Sequence, residues 1–209
     1  MAYLILTRHG QSEWNAKGLW TGWTDNVPLT KTGEKEAAET AKELCGISID
    51  SGFVSDQKRS IDTLDIIKKC NTLENLPIEQ TPDLKERNYG ELTGKNKWEI
   101  KKQYGEETFQ KIRRSFDYPI PRGETLKDVY NRVVPYYKKR ILPQLQDGKS
   151  VIVVASGNSI RALVKYLENI SDEDIAHLEL ATAESYVYTV DKDGAIIAKE
   201  KRATRPNSM

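Results

Sequence analysis

The stretch Ser150-Val151-Ile152-Val153-Val154-Ala155-Ser156-Gly157-Asn158-Ser159 decides the fold. Residues 151–155 are apolar without interruption and β-branched up to Val154, the composition of a central strand in a parallel sheet, buried on both faces. A tight turn follows, and Ile160, Leu163, Val164 and Leu167 then recur at helical spacing as one buried face. The same design opens the chain. Tyr3-Leu4-Ile5-Leu6 is a short apolar run that stops at Thr7-Arg8-His9-Gly10-Gln11-Ser12-Glu13-Trp14-Asn15. Two strand ends that deliver polar groups to one cleft fit an open α/β sheet, where ligands bind beyond the carboxyl ends of the strands.

Between these two units the chain supplies further elements. Residues 29–34 open a helix with Thr30 as its cap and Ala37, Ala38, Ala41, Leu44 and Cys45 on one face. Gly52-Phe53-Val54-Ser55 is a short strand that leads into a second helix carrying Ile61, Leu64 and Ile67. A long helix from Thr125 bears Leu126, Val129, Tyr130, Val133, Tyr137 and Ile141 on one stripe, and Pro135 should bend or divide it. Residues 186–190 and 195–198 read as a terminal hairpin around Asp191-Lys192-Asp193-Gly194. Residues 199–209 are polar, basic and aperiodic, and are expected to form a tail that is mobile until substrate arrives.

Composition narrows the function. At 209 residues the chain suits one domain, and 32 Lys and Arg against 31 Asp and Glu leave it near neutral. That balance argues against nucleic acid or an anionic membrane as the main partner, so any attraction for anions must be local. Cys45 and Cys70 are too few and scattered for a disulfide framework and are expected to be core thiols. No apolar run approaches the ~20 residues that cross a bilayer, no leader pattern opens the chain, and the cytoplasm is the expected compartment.

His9 is one of only two histidines. Placed at a strand mouth it reads either as a loop residue satisfied by nearby carbonyls or as a functional imidazole. Its neighbours favour the second: Arg8 offers a forked cation suited to phosphate or carboxylate, and Gly10 would let the backbone approach a ligand. Arg59, just inside a helix start, stands where free amides already favour an anion.

Arg8-His9-Gly10 with Gln11-Ser12-Glu13-Trp14-Asn15 resembles the signature of the histidine phosphatase superfamily. Thr21-Gly22-Trp23 and Asp25 narrow the resemblance to the cofactor-dependent phosphoglycerate mutases, and it continues in order to the hairpin. It implies a three-layer α/β/α sandwich with a mostly parallel central sheet, with residues 88–122 as a substrate-covering lid. It also implies that His9 carries a phosphoryl group exchanged between 3-phosphoglycerate and 2-phosphoglycerate, primed by 2,3-bisphosphoglycerate and without metal. By position in the motifs, Arg8 and Arg59 would hold the transferring group, and Glu86 would be the general acid and base. Arg87, Tyr89 and Lys97 would contact substrate, Arg113 and Arg114 would take its carboxylate or distal phosphate, and Asn15, Thr21, Gly22, Gly157 and Asn158 would shape the site. Burial and a nearby phosphate are expected to push the Glu86 carboxyl upward. The partners implied are small phosphoglycerates, with a homodimer as the assembly.

One position departs from the pattern. Where the mutases have a second histidine that hydrogen-bonds the phosphoryl group in flight, this chain has Ser156, whose hydroxyl is shorter and neutral. Losing one preorganised donor typically costs on the order of a hundred- to a thousandfold in rate, so an impaired enzyme is expected. The family's Gly-Val-Pro near the next strand is Ala183-Glu184-Ser185 here. His177 lies in a connection where the family has no catalytic residue and is expected at the surface. Two rivals remain: a phosphatase of the same superfamily, in which water takes the phosphoryl group, and a catalytically silent phosphometabolite-binding protein. Lys97, Tyr89 and the Arg113-Arg114 pair speak for the mutase.

Overall fold

The computed structural model describes residues 1–203. Six strands, β1 Ala2–Arg8, β2 Ser51–Ser55, β3 Ile78–Thr81, β4 Val151–Ala155, β5 Ser185–Val190 and β6 Ile196–Arg202, form one sheet in the order β3-β2-β4-β1-β5-β6. The pairings β3 with β2, β2 with β4, and β4 with β1 are parallel, while β5 and β6 add an antiparallel edge. Helices α1 Glu13–Ala16, α2 Lys31–Glu43, α3 Lys58–Cys70, α4 Lys97–Arg114, α5 Leu126–Tyr136, α6 Leu142–Gln146 and α7 Gly157–Leu167 complete the chain.

Strand side chains alternate between faces, so the apolar runs of β1 and β4 feed two cores. Leu4, Leu6, Val151, Val153 and Ala155 pack with Leu126, Val129 and Val133 of α5 and Ile160, Leu163 and Val164 of α7. Ile5, Ile152 and Val154 pack on the other face with Ala41 of α2 and Leu64 and Ile67 of α3. Helices thus cover both faces. The chain leaving β1 passes to the α2 and α3 face, and the chain leaving the adjacent β4 passes to the α5 and α7 face. Such a divergence opens a crevice at the strand ends, and His9 and Ser156 flank it.

A third cluster of Trp20, Tyr89, Leu92, Ile100, Phe109, Ile112 and Ile120 packs α4 beyond those strand ends. At Gly105 the backbone turns to φ 79 and ψ 166, dividing α4. Only glycine adopts that region readily.

Thr30 caps α2 by accepting from the Gly33 amide at 3.0 Å. Beyond Pro135 the helix widens to π geometry over Tyr137–Ile141, as expected where a proline cannot donate. Other expectations are corrected. Cys45 and Cys70 are exposed, not core thiols. Each lies beyond the last residue its helix packs on the sheet, Leu44 and Ile67. Residues 199–202 belong to β6, because pairing with β5 needs only backbone and tolerates a charged, exposed edge. Residues 204–209 of the expected tail lie outside the described residues. His177 is exposed. Among the described residues no helix is long and apolar enough to cross a membrane.

Candidate active site

His9 directly follows β1. Its amide donates to the Ala155 carbonyl at the end of β4 (3.0 Å), and its carbonyl accepts from the Ala183 amide (3.1 Å), so the backbone is held from both sides. Nδ1 stands 2.7 Å from the Gly10 carbonyl. A carbonyl only accepts, so Nδ1 carries the proton and Nε2 keeps its lone pair. Into that lone pair the Nε–H of Arg59 donates across 3.1 Å. Burial first, then the charges of Arg59 and Arg8, hold the imidazole pKa well below its usual value. His9 is therefore neutral at physiological pH, the form a nucleophile needs.

Gly10 meets a packing demand within the chain. A Cβ there would lie 2.4 Å from the Gly33 carbonyl, and one at Gly33 would lie 2.1 Å from that of Gln11. The pair lets the nucleophile loop sit against the start of α2.

Arg59 is fully buried on the first turn of α3. Besides His9 its guanidinium donates to the Thr24 carbonyl (3.0 Å), the Gly22 carbonyl (3.3 Å), Gln57 Oε1 (2.8 Å) and Ser156 Oγ (3.2 Å). None of these acceptors is charged. Burial lowers its pKa to about 10, which leaves it a cation at neutral pH. Gln57, which the motifs do not mark, also accepts from the Glu86 amide at 2.9 Å. The Glu86 carboxylate accepts from Asn158 Nδ2 (2.8 Å) and the Arg87 amide (2.7 Å). Asn158 also donates to the Tyr89 hydroxyl at 3.0 Å.

Above this buried centre lies a cleft of about 270 Å³. Arg8, Asn15, Thr21, Glu86, Tyr89, Lys97, Arg113, Arg114, Gly157 and Asn158 line it, as the motifs imply. The break at Gly105 brings both ends of α4, Lys97 and the Arg113-Arg114 pair, to this one cavity. His9, Gly22, Arg59 and Ser156 do not line it, but Arg8, Thr21 and Gly157, the chain neighbours of His9, Gly22 and Ser156, do. Arg87 is the exception. It is fully buried and donates to the Ile112 and Arg113 carbonyls (2.8 and 3.3 Å) and to the Tyr89 hydroxyl (3.2 Å). Through its Nη2 it thus holds the end of α4 in place, while its Nε and Nη1 are buried without partners.

Arg161 also lines the cleft and was not among the expected site residues, although it follows Asn158 by one helical turn and donates to its Oδ1 at 2.8 Å. Five cations, Arg8, Lys97, Arg113, Arg114 and Arg161, thus face two carboxylates, Glu86 and Glu179. Crowding shows in their acidities. Burial, then Arg113 and Arg8, lowers the Lys97 pKa to about 8, and burial, then Arg87 and Arg114, lowers that of Arg161 to about 9. The Nε atoms of Arg8 and Arg161 are buried without partners. Buried donors left unpaired are costly, and an anionic ligand would relieve both them and the repulsion. Among the described residues no His, Cys, Asp and Glu gather in a metal-binding group.

Residues 4–201 match the model of the histidine phosphatase superfamily (branch 1). The chain is 48% identical to a 2,3-bisphosphoglycerate-dependent phosphoglycerate mutase of Cytophaga hutchinsonii, over 90% of this chain and 87% of that one. It is 44% identical to a phosphoglycerate mutase of Schizosaccharomyces pombe over 94% of each. Among solved structures, YhfR of Bacillus stearothermophilus superposes with a TM-score of 0.81 at 25% identity, over 94% of each chain.

Proposed function

The chain belongs to the histidine phosphatase superfamily, and from that premise we propose that it interconverts 3-phosphoglycerate and 2-phosphoglycerate through a phosphoryl group carried on His9. The observation that carries this reading is the paired geometry at His9. Nδ1 is tied to a carbonyl, and Nε2 faces Arg59 at 3.1 Å beside a cleft rich in cations.

Two phosphoryl groups and a carboxylate carry roughly four to five negative charges. Arg8, Lys97, Arg113, Arg114 and Arg161 suit that load, so the residues present fit 2,3-bisphosphoglycerate. When bound, that cofactor supplies the phosphoryl group that loads His9. His9 Nε2 would take the phosphoryl group as the ester P–O bond breaks, and the Glu86 carboxyl, entering this step protonated, would give the departing oxygen its proton and be left a carboxylate. In the return step the neighbouring substrate hydroxyl attacks the phosphoryl group, Glu86 takes the hydroxyl proton, and the P–N bond breaks to restore neutral imidazole. Arg59 moves its Nε–H from Nε2 to a phosphoryl oxygen, keeping a cation beside the developing charge. Tyr89 and Asn158 orient Glu86 through their shared hydrogen bonds.

We further propose that turnover is low. The Ser156 hydroxyl accepts from Arg59 and spends its proton on Gln57, so it offers the phosphoryl group no donor. On this reading the partners are small phosphoglycerates, the compartment is the cytoplasm, residues 88–122 form the lid, and the assembly is a homodimer.

The test is intact mass after incubation with 2,3-bisphosphoglycerate, with a coupled assay for 2-phosphoglycerate. A phosphoryl adduct that His9→Ala abolishes, together with formation of 2-phosphoglycerate, is expected. An adduct that yields only inorganic phosphate would make the protein a phosphatase, and no adduct would leave a binding protein.

A further inference from the structure

Gln57 belongs to no recognised motif, yet its side chain joins every part of the buried centre. It is fully buried, as are Arg59 and Ser156. Its Nε2 faces the Gly22 and Thr24 carbonyls at 3.0 and 3.3 Å, which only accept. Its Oε1 faces the Arg59 guanidinium at 2.8 Å and the Glu86 amide at 2.9 Å, which only donate. Four obligatory partners therefore fix the orientation of the carboxamide. Ser156 Oγ, 3.2 Å from Oε1 and 3.2 Å from Arg59, is left to donate to the first and accept from the second.

We propose that Gln57 is a positioning residue of the phosphoryl-transfer centre, and that it works as one unit with Ser156. The carboxamide sets Arg59 against His9 and fixes the backbone of Glu86 beside them. It also occupies the space beside Arg59 that a larger residue at 156 would need. The choice of residue follows from the partners. A glutamate would neutralise Arg59, whose charge the present acceptors leave free for a phosphoryl group. An apolar residue would strand buried donors and carbonyls. An asparagine is one methylene shorter and would not span the same partners. Because Gln57 and Ser156 touch, an imidazole introduced at 156 collides with the carboxamide. Restoring a histidine there is therefore not a single-site change.

This inference rests on the mutase reading, and its test separates the two. Four proteins are compared: the parent, Ser156→His, Gln57→Ala and the double variant, each by urea midpoint and by kcat and KM for the primed conversion of 3-phosphoglycerate. Gln57→Ala is expected to lower kcat on the order of a hundredfold, as for a slight misplacement of reacting groups, with KM nearly unchanged. Ser156→His alone is expected to lower the urea midpoint without raising kcat. The double variant should recover midpoint and exceed Ser156→His in kcat. Gln57→Glu, close in size, guards against misfolding of the alanine variant and should also lose kcat. Additive effects in both quantities would overturn the proposal, as would parental kcat in the Gln57 variants or a faster Ser156→His enzyme with unchanged midpoint. Should the parent make no 2-phosphoglycerate, the mutase reading fails by itself. The urea midpoints then still decide the coupling, and orthovanadate affinity by calorimetry decides the positioning role, which requires weaker binding in Gln57→Ala.

Discussion

The Nε–H of Arg59 points into the lone pair of His9 Nε2 across 3.1 Å. The cation assigned to the phosphoryl group and the nitrogen assigned to attack it are thus one hydrogen-bonded pair before substrate arrives. Arg59→Lys keeps a charge but loses the planar fork that reaches Gly22, Thr24, Gln57 and Ser156 at once. Loading of His9 by 2,3-bisphosphoglycerate should slow about a hundred- to a thousandfold, followed as the time course of the mass adduct. A parental loading rate would show that the pair is incidental.

The same burial makes stability depend on pH. The folded imidazole resists protonation, held down by desolvation and then by Arg59 and Arg8, while the unfolded one titrates near 6.5. Stability is therefore fully present above about 6.5 and is lost as pH falls below it, toward the folded pKa, by up to about 1.4 kcal/mol per pH unit. Denaturant melts of the parent between neutral pH and about 5 should show this slope. His9→Ala should flatten it, and equal slopes in the two proteins would count against a buried, neutral His9.

Lys97 predicts a limb on the alkaline side. With a pKa of about 8 in the free protein, it loses its charge as pH rises past that value, and the cleft loses one of its cations. Since kcat/KM reports groups of the free enzyme, it should fall above about 8. Lys97→Met should lower kcat/KM at neutral pH and abolish the limb, and Lys97→Arg should move it to higher pH. An unchanged limb in Lys97→Met would assign it to another group.

The division of α4 at Gly105 is what lets Lys97 and Arg113 share a cavity. Backbone at φ 79 and ψ 166 costs other residues on the order of 1–3 kcal/mol, although a Cβ there meets nothing within 4 Å. Gly105→Ala should therefore lose stability through backbone strain alone and raise KM as the two ends of the helix move apart. A parental urea midpoint and KM would show that the break is not needed.

Much of this arrangement was readable in the chain, for identifiable reasons. The runs 4–6 and 151–155 are apolar because both faces of their strands are covered, so strand, position and exit could be read together, and His9 and Ser156 with them. The residues of β3 and the end of β6 carried no such signal, since edge strands pair through backbone and leave their side chains in water. The burial of Arg87 was not readable, because a motif places a side chain along the chain but does not say which way it turns. Gln57 was invisible for a related reason. Its five partners come from four separate segments, and only the folded chain brings them within 3.3 Å.

Ala183 carries strain next to the nucleophile. Its φ of 55 lies in the left-handed region, which costs an L-residue roughly 1–2 kcal/mol. The conformation is imposed from both sides. Its amide must reach the His9 carbonyl at 3.1 Å, and its carbonyl accepts from Thr40 Oγ1 at 2.6 Å. Glycine adopts this backbone without a Cβ penalty but loses more freedom on folding, which offsets part of the gain. Ala183→Gly should therefore stabilise the fold by about 0.5–1 kcal/mol, a rise in melting temperature of about 2 °C for a chain of this length. Differential scanning calorimetry reads that shift directly. A lower melting temperature would mean that the buried methyl contributes more to packing than its backbone strain costs.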